Sequence, residues 1–165
     1  MIAVDSNVLL RYLLGDDELQ AEKADILING GEPVLITDVV LAEVIWTLAG
    51  RKYQLDKEEI VKTVEALFKE PNLRFEDDQV VWRALHAYRT AEPARAGQRM
   101  KETDFADALI AYKAQKTAAS QNTRLQAFYT FDIAASQLSF ARFLWENGDA
   151  ICLAAPGHQG ARRTH

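Results

Sequence analysis

The chain has 165 residues, 48% of them hydrophobic and 26% charged, with a formal net charge of −5, which fits one soluble globular domain and argues against a protein that coats DNA by charge alone. Cys152 is the only cysteine, so an intrachain disulfide is excluded, and its apolar setting in AICLAA reads as a buried reduced thiol. The opening MIAVD lacks a basic leader and no run of about 18 apolar residues occurs, so neither a signal peptide nor a membrane span is expected, and a cytoplasmic protein is.

In chain order, the apolar run at 2–4 reads as a strand that stops at Asp5. A helix is predicted over 17–28, ended by NGG, then a strand at 34–36. A very apolar helix over 38–49 ends at Gly50, and a helix over 56–69 starts at the N-cap candidate Asp56 and stops before Pro71. A strand at 73–75 precedes a helix over 77–91, which ends before Pro93. The polar stretch 91–103 leads to a helix over 104–118, and a second polar stretch, 116–126, leads to a strand at 127–130. A helix over 136–147 stops at NG before a last strand at 150–153. The strands are short and lack polar alternation, as strands covered on both faces do. Their alternation with helices predicts an α/β fold, a mostly parallel short-stranded sheet flanked by helices. No internal repeat or composition break divides the chain, so one domain is expected over 1–155, with a disordered tail over 156–165.

The acids carry the chemical interest. Asp5 stands where the first strand should end, and ligand sites in parallel α/β sheets lie outside the carboxyl ends of the strands. It reads equally well as the cap of a helix that opens near Val8. Glu43 is the only charged residue between Asp38 and Arg51, with no cation three or four positions away. Its apolar flanks favour a site role over a solvent-facing edge. Asp104 and Asp107 stand three apart, hence on one helix face; Asp104 is the better N-cap and Asp107 the better site acid. Asp132 follows a predicted strand and repeats the situation of Asp5. Four carboxylates brought together would repel one another and resist ionisation unless a divalent cation joined them. Oxygen-only ligands suit Mg²⁺ or Mn²⁺. Histidine offers no rival scheme: His86 falls mid-helix, and His158 and His165 lie in the tail.

The stretches IAVDSNVLLRYLL, ITDVVLAEVIWTL, DFADALIAY and YTFDIAA, in that order, resemble the PIN-domain nucleases, and among them the VapC-type toxins. The resemblance covers roughly residues 1–153, the span of one domain. It implies a three-layer α/β/α fold, cleavage of RNA that depends on Mg²⁺ or Mn²⁺, a homodimer and a small cognate VapB-like antitoxin. It places the four acidic positions on Asp5, Glu43, Asp107 and Asp132 as catalytic and metal-holding residues. Asn7, Asp104 and Thr130 then support them. Asp5 and Asp107 are the first choices for direct metal ligation, and Glu43 or Asp132 for orienting the attacking water. Ser6 stands where the family more commonly has Thr, and the segment 113–127 looks longer than in compact members. The RNA grip is expected from the cations before the Asp104–Asp107 helix: Arg95, Arg99 and Lys101. Two rival readings remain. One is a PIN-like module that binds RNA or protein without chemistry. The other is a phosphatase with Asp5 as nucleophile, which is weakened because Asn7 stands where such enzymes want a second acid.

Overall fold

A computed structural model describes residues 1–96, 98–144 and 150–151; Cys152, the end of the strand expected at 150–153 and the tail 156–165 lie outside them. Contacts divide the chain into two compact units, Met1–Arg89 and the residues from Thr90 onward.

In the first unit, β1 (Ile2–Ala3), β2 (Val34–Ile36) and β3 (Leu73–Phe75) form a parallel sheet in that order, with Ile2 opposite Val34 and Val34 opposite Leu73. Parallel neighbours need long crossovers, and helices supply them. Helices α1 (Ser6–Leu14) and α2 (Glu18–Ile28) join β1 to β2. Helices α3 (Asp38–Ala49) and α4 (Lys57–Lys69) join β2 to β3, and α5 (Asp78–Thr90) follows. All strands and helices expected up to residue 91 are present, within a residue at most of their ends. One element exceeds the expectation: a full helix, α1, starts directly after Asp5. It ends at Gly15, whose φ of 61° is a left-handed conformation that glycine adopts freely, and whose N–H reaches the carbonyl of Arg11 at 3.0 Å.

Helix α3 is apolar on nearly every side, yet it buries one face. Leu41, Val44, Ile45 and Leu48 recur at helical spacing and are at most 2% exposed. Helix α4 is amphipathic and buries Ile60, Val61, Val64 and Leu67. Its start is a capping box: Asp56 accepts from the Glu59 amide at 2.9 Å, and Glu59 accepts from the Asp56 amide at 2.8 Å. The apolar residues of the α3–α4 pair are therefore chiefly core. The amide of Asn72 clamps the turn between α2 and β2 by donating to the carbonyls of Ile28 and Gly30.

In the second unit, β4 (Ala94–Ala96) and β5 (Arg99–Lys101) form an antiparallel hairpin. The polar stretch 91–103, for which the sequence predicts no strand, therefore holds two. Helix α6 (Phe105–Ser120) buries Phe105, Ala108, Leu109 and Ala111. It uses up the first half of the long segment 113–127, and Asn122, at φ 56°, turns the chain away after it. Strand β6 (Phe128–Thr130) pairs in parallel with β7 (Ala141–Leu144), and β7 pairs antiparallel with β8 (Ala150–Ile151).

The helix expected over 136–147 is a correction. Among the described residues of that stretch, up to 144, only one 3₁₀ turn forms, Ala135–Gln137, and the chain becomes extended at Leu138. The physical reason is β6. Its parallel edge needs partners for its backbone groups, and the stretch from Ala141 supplies them at the cost of its own helix. The described architecture is thus mixed α/β with short, mainly parallel strands, as the sequence predicts.

Candidate acidic site

In the first unit, the carboxyl ends of the parallel strands lead into Asp5, Thr37 and Glu76. Asp5 is exposed, and its Oδ1 accepts the Val8 amide at 2.9 Å, so it does cap α1. That does not exhaust it, because a carboxylate has about four acceptor positions. Asp5 also borders a cavity of about 350 Å³ between α1 and α2, shared with Asn7, Val8, Arg11, Gln20, Lys23, Ala24 and Leu27. Arg11 reaches into this region but is engaged by Asp16 and by Gln20, the latter at 3.0 Å.

Glu43 lies on the exposed face of α3. The solvent-facing edge that the apolar flanks argued against is where the helix puts it. Its neighbours on that face are apolar: Val39 is 75% exposed and Trp46 69%. The four buried positions of α3 occupy the opposite stripe, and Glu43, two residues before Ile45, falls outside it.

In the second unit, Asp104, Asp107, Asp132, Thr130 and Lys101 act on one another. Asp104 is the N-cap of α6, accepting the Ala106 amide at 2.9 Å. Asp107, one turn further in, is half-buried. Burial pushes its carboxyl above the usual carboxylate range, and repulsion from Asp104 and Asp132 pushes the same way. Asp132 starts the loop after β6. Burial also acts against its ionisation, but the Lys101 ammonium and the amides of Ala134 and Ala135 outweigh burial and hold it below the usual range. Its Oδ1 accepts from the Ala134 amide at 2.9 Å, and its own amide donates to Thr130 Oγ1 at 2.9 Å. Its Oδ2 accepts from Lys101 Nζ. That hydrogen bond, and then the attraction of Asp132, Asp107 and Asp104, raises the Lys101 ammonium above its ordinary range against the effect of burial.

Thr103 carries no signal in the sequence but does in the fold. It is 2% exposed and donates from Oγ1 to the Ala134 carbonyl at 2.8 Å. The bond ties the residue before Asp104 to the loop of Asp132. Nothing in its type or spacing marks it, because a threonine ahead of an N-cap aspartate is common. The hairpin register separates the three expected RNA-binding cations. Directly opposed residues share a face, so Arg99, opposite Ala96, lies with Lys101, opposite Ala94, and Arg95 lies with Met100 on the other face.

Among the described residues, no three histidine, cysteine, aspartate or glutamate side chains form a ready-made metal cage. The residues that would surround a cation nonetheless suit one. Their donors are carboxylate oxygens, burial and the repulsion of Asp104 and Asp132 outweigh the attraction of Lys101 at Asp107, and the Lys101 ammonium already sits against Asp132.

No helix among the described residues is long and apolar enough to cross a membrane. Among known proteins, a family model for the PIN domain matches residues 2–141. No curated protein matches the chain.

Proposed function

The chain belongs to the PIN domain family, whose members are generally nucleases, and from that premise we propose that it is a divalent-metal-dependent endoribonuclease acting as the toxin of a type II toxin–antitoxin pair. Asp5, Glu43, Asp107 and Asp132 carry the chemistry in this reading, supported by Asn7, Asp104 and Thr130. The observation that supports it most is the mutual repulsion of Asp107 with Asp104 and Asp132, a charge problem that a hard divalent cation relieves.

In the second unit, Asp107 and Asp132 would hold Mg²⁺ or Mn²⁺. Such an ion, when bound, acidifies water and stabilises charge on a phosphoryl group under attack. The chain's own groups do the rest. Asp132, fixed through Thr130 and Ala134, is suited to orient the attacking water, and Glu43 is the alternative. Arg99 and Lys101 on one face of the hairpin, and Arg95 on the other, meet the RNA backbone. The exposed Val39 and Trp46 of α3 offer apolar surface for the VapB-like antitoxin or for a second copy of the chain.

The test is calorimetric titration of Mn²⁺ and Mg²⁺ into the wild type, Asp5→Asn and Asp107→Asn, with cleavage of total RNA followed in the same samples. Asparagine is preferred to alanine at position 5 because it can still cap α1. Metal binding and cleavage that weaken together in both variants support the reading. A folded wild type that binds neither ion refutes it. Metal binding without RNA cleavage refutes the ribonuclease assignment and leaves a metal-binding module. The toxin role is tested separately, by growth arrest on induced expression.

A further inference from the structure

We propose that Lys101 is an internal counter-ion of the acidic site, holding Asp132 until a divalent cation displaces it. The inference rests on the metal-dependent reading above. It starts from the hairpin. Lys101 is the last residue of β5, and its ammonium reaches from that strand to Asp132 Oδ2, 31 residues further along the chain. The contact is specific within the hairpin. Arg99 lies on the same face two residues earlier, and its side chain makes no hydrogen bond or ion pair among the described residues.

Three of the contacts that hold Asp132 matter here. Thr130 Oγ1 accepts from its amide, the Ala134 amide donates to Oδ1, and the Lys101 ammonium donates to Oδ2. The first two belong to the chain beside Asp132 and need not change when a metal binds. Lys101 differs from the amides in bringing a full positive charge to a carboxylate oxygen, as a metal would. Its side chain is 54% exposed, so it can swing into solvent without unpacking the core. Once released, the ammonium stands beside the acids and is available to a phosphate of the substrate. Metal binding and readiness for a polyanion are then coupled through one side chain.

The competition has a modest size. Exposed ion pairs contribute little, so removing this one should tighten metal binding by up to about fivefold. The experiment titrates Mn²⁺ by calorimetry into the wild type, Lys101→Met, Lys101→Arg, Arg99→Met and Asp132→Asn, each checked for folding by circular dichroism. Lys101→Met should bind Mn²⁺ severalfold more tightly than the wild type. Lys101→Arg, which keeps the cation, should stay near it. Arg99→Met removes an equal charge that does not touch Asp132 and should change affinity far less. Tightening confined to Lys101→Met supports the inference. Equal affinity in Lys101→Met and wild type, with binding lost in Asp132→Asn, overturns it and leaves the metal-dependent reading standing. Equal tightening in Arg99→Met also overturns it, because general repulsion then suffices. No Mn²⁺ binding by any folded variant overturns both.

Discussion

Replacing Thr103 with valine removes one hydroxyl and keeps the shape of the side chain. That hydroxyl donates to the Ala134 carbonyl at 2.8 Å, between a residue 2% exposed and one fully buried. A net hydrogen bond contributes about 0.5–1.5 kcal/mol, and a buried acceptor left without any partner costs about 1–3 kcal/mol. The Ala134 carbonyl also accepts the Gln137 amide at 3.1 Å, so it keeps one partner and the lower figure applies. The expected loss is about 1 kcal/mol, roughly a fivefold fall in the ratio of folded to unfolded chains. The effect should be concentrated near Asp132. The 3₁₀ turn after it is stitched by Ser136 N–H to Asp132 O at 3.1 Å and by the Gln137 bond. Urea unfolding measures the global loss. Hydrogen exchange at the Ser136 and Gln137 amides measures the local one, with Leu109 inside α6 as reference. Faster exchange at the two turn amides and a lower midpoint are expected. An unchanged midpoint with unchanged exchange would refute the idea that Thr103 holds the two acid-bearing segments together.

Asp107→Asn should stabilise the protein at neutral pH without divalent ions, by roughly a few tenths of a kcal/mol once solvent screening is allowed for. The sign follows from linkage. The Asp107 carboxyl titrates above its usual range, so the native state holds its proton more strongly than the unfolded chain does. Its contribution therefore falls as pH rises through that interval, and the advantage of Asn should shrink as pH is lowered; urea midpoints across a pH series check this. Asp56→Ala removes the carboxylate of the α4 capping box and should cost about 1 kcal/mol, read from the thermal midpoint. Arg99→Ala should lower the salt dependence of RNA binding by about one unit of slope, and Arg95→Ala by less, because Arg95 faces away from Lys101. Filter binding at several salt concentrations separates the two.

The helices were legible because their signals are local. Apolar spacing marks the buried stripe of α4, Asp56 and Asp104 announce their helix starts, and Pro71 and Pro93 close off what precedes them. The β2 and β3 runs were readable for a related reason, since three apolar or bulky residues between breakers have few other uses. The acids could be singled out one at a time, by their positions at strand ends and in apolar runs. What local signals could not settle depends on partners distant in sequence. The stretch from Ala141 became a strand because β6 lay beside it with unpaired backbone groups, and the apolar pattern of 136–147 by itself does not record that pairing. Glu43 faces solvent because the four bulky residues that α3 buries fix its rotation, and the helix is apolar enough that composition alone left that rotation open. Lys101 meets Asp132 across 31 residues, and Thr103 meets Ala134 across the same separation. The sequence determined most of the helices and strands up to residue 91 and which residue types are available for chemistry. Tertiary structure decided which charges are neighbours, because Coulomb interactions act through space and the chain order does not record that distance.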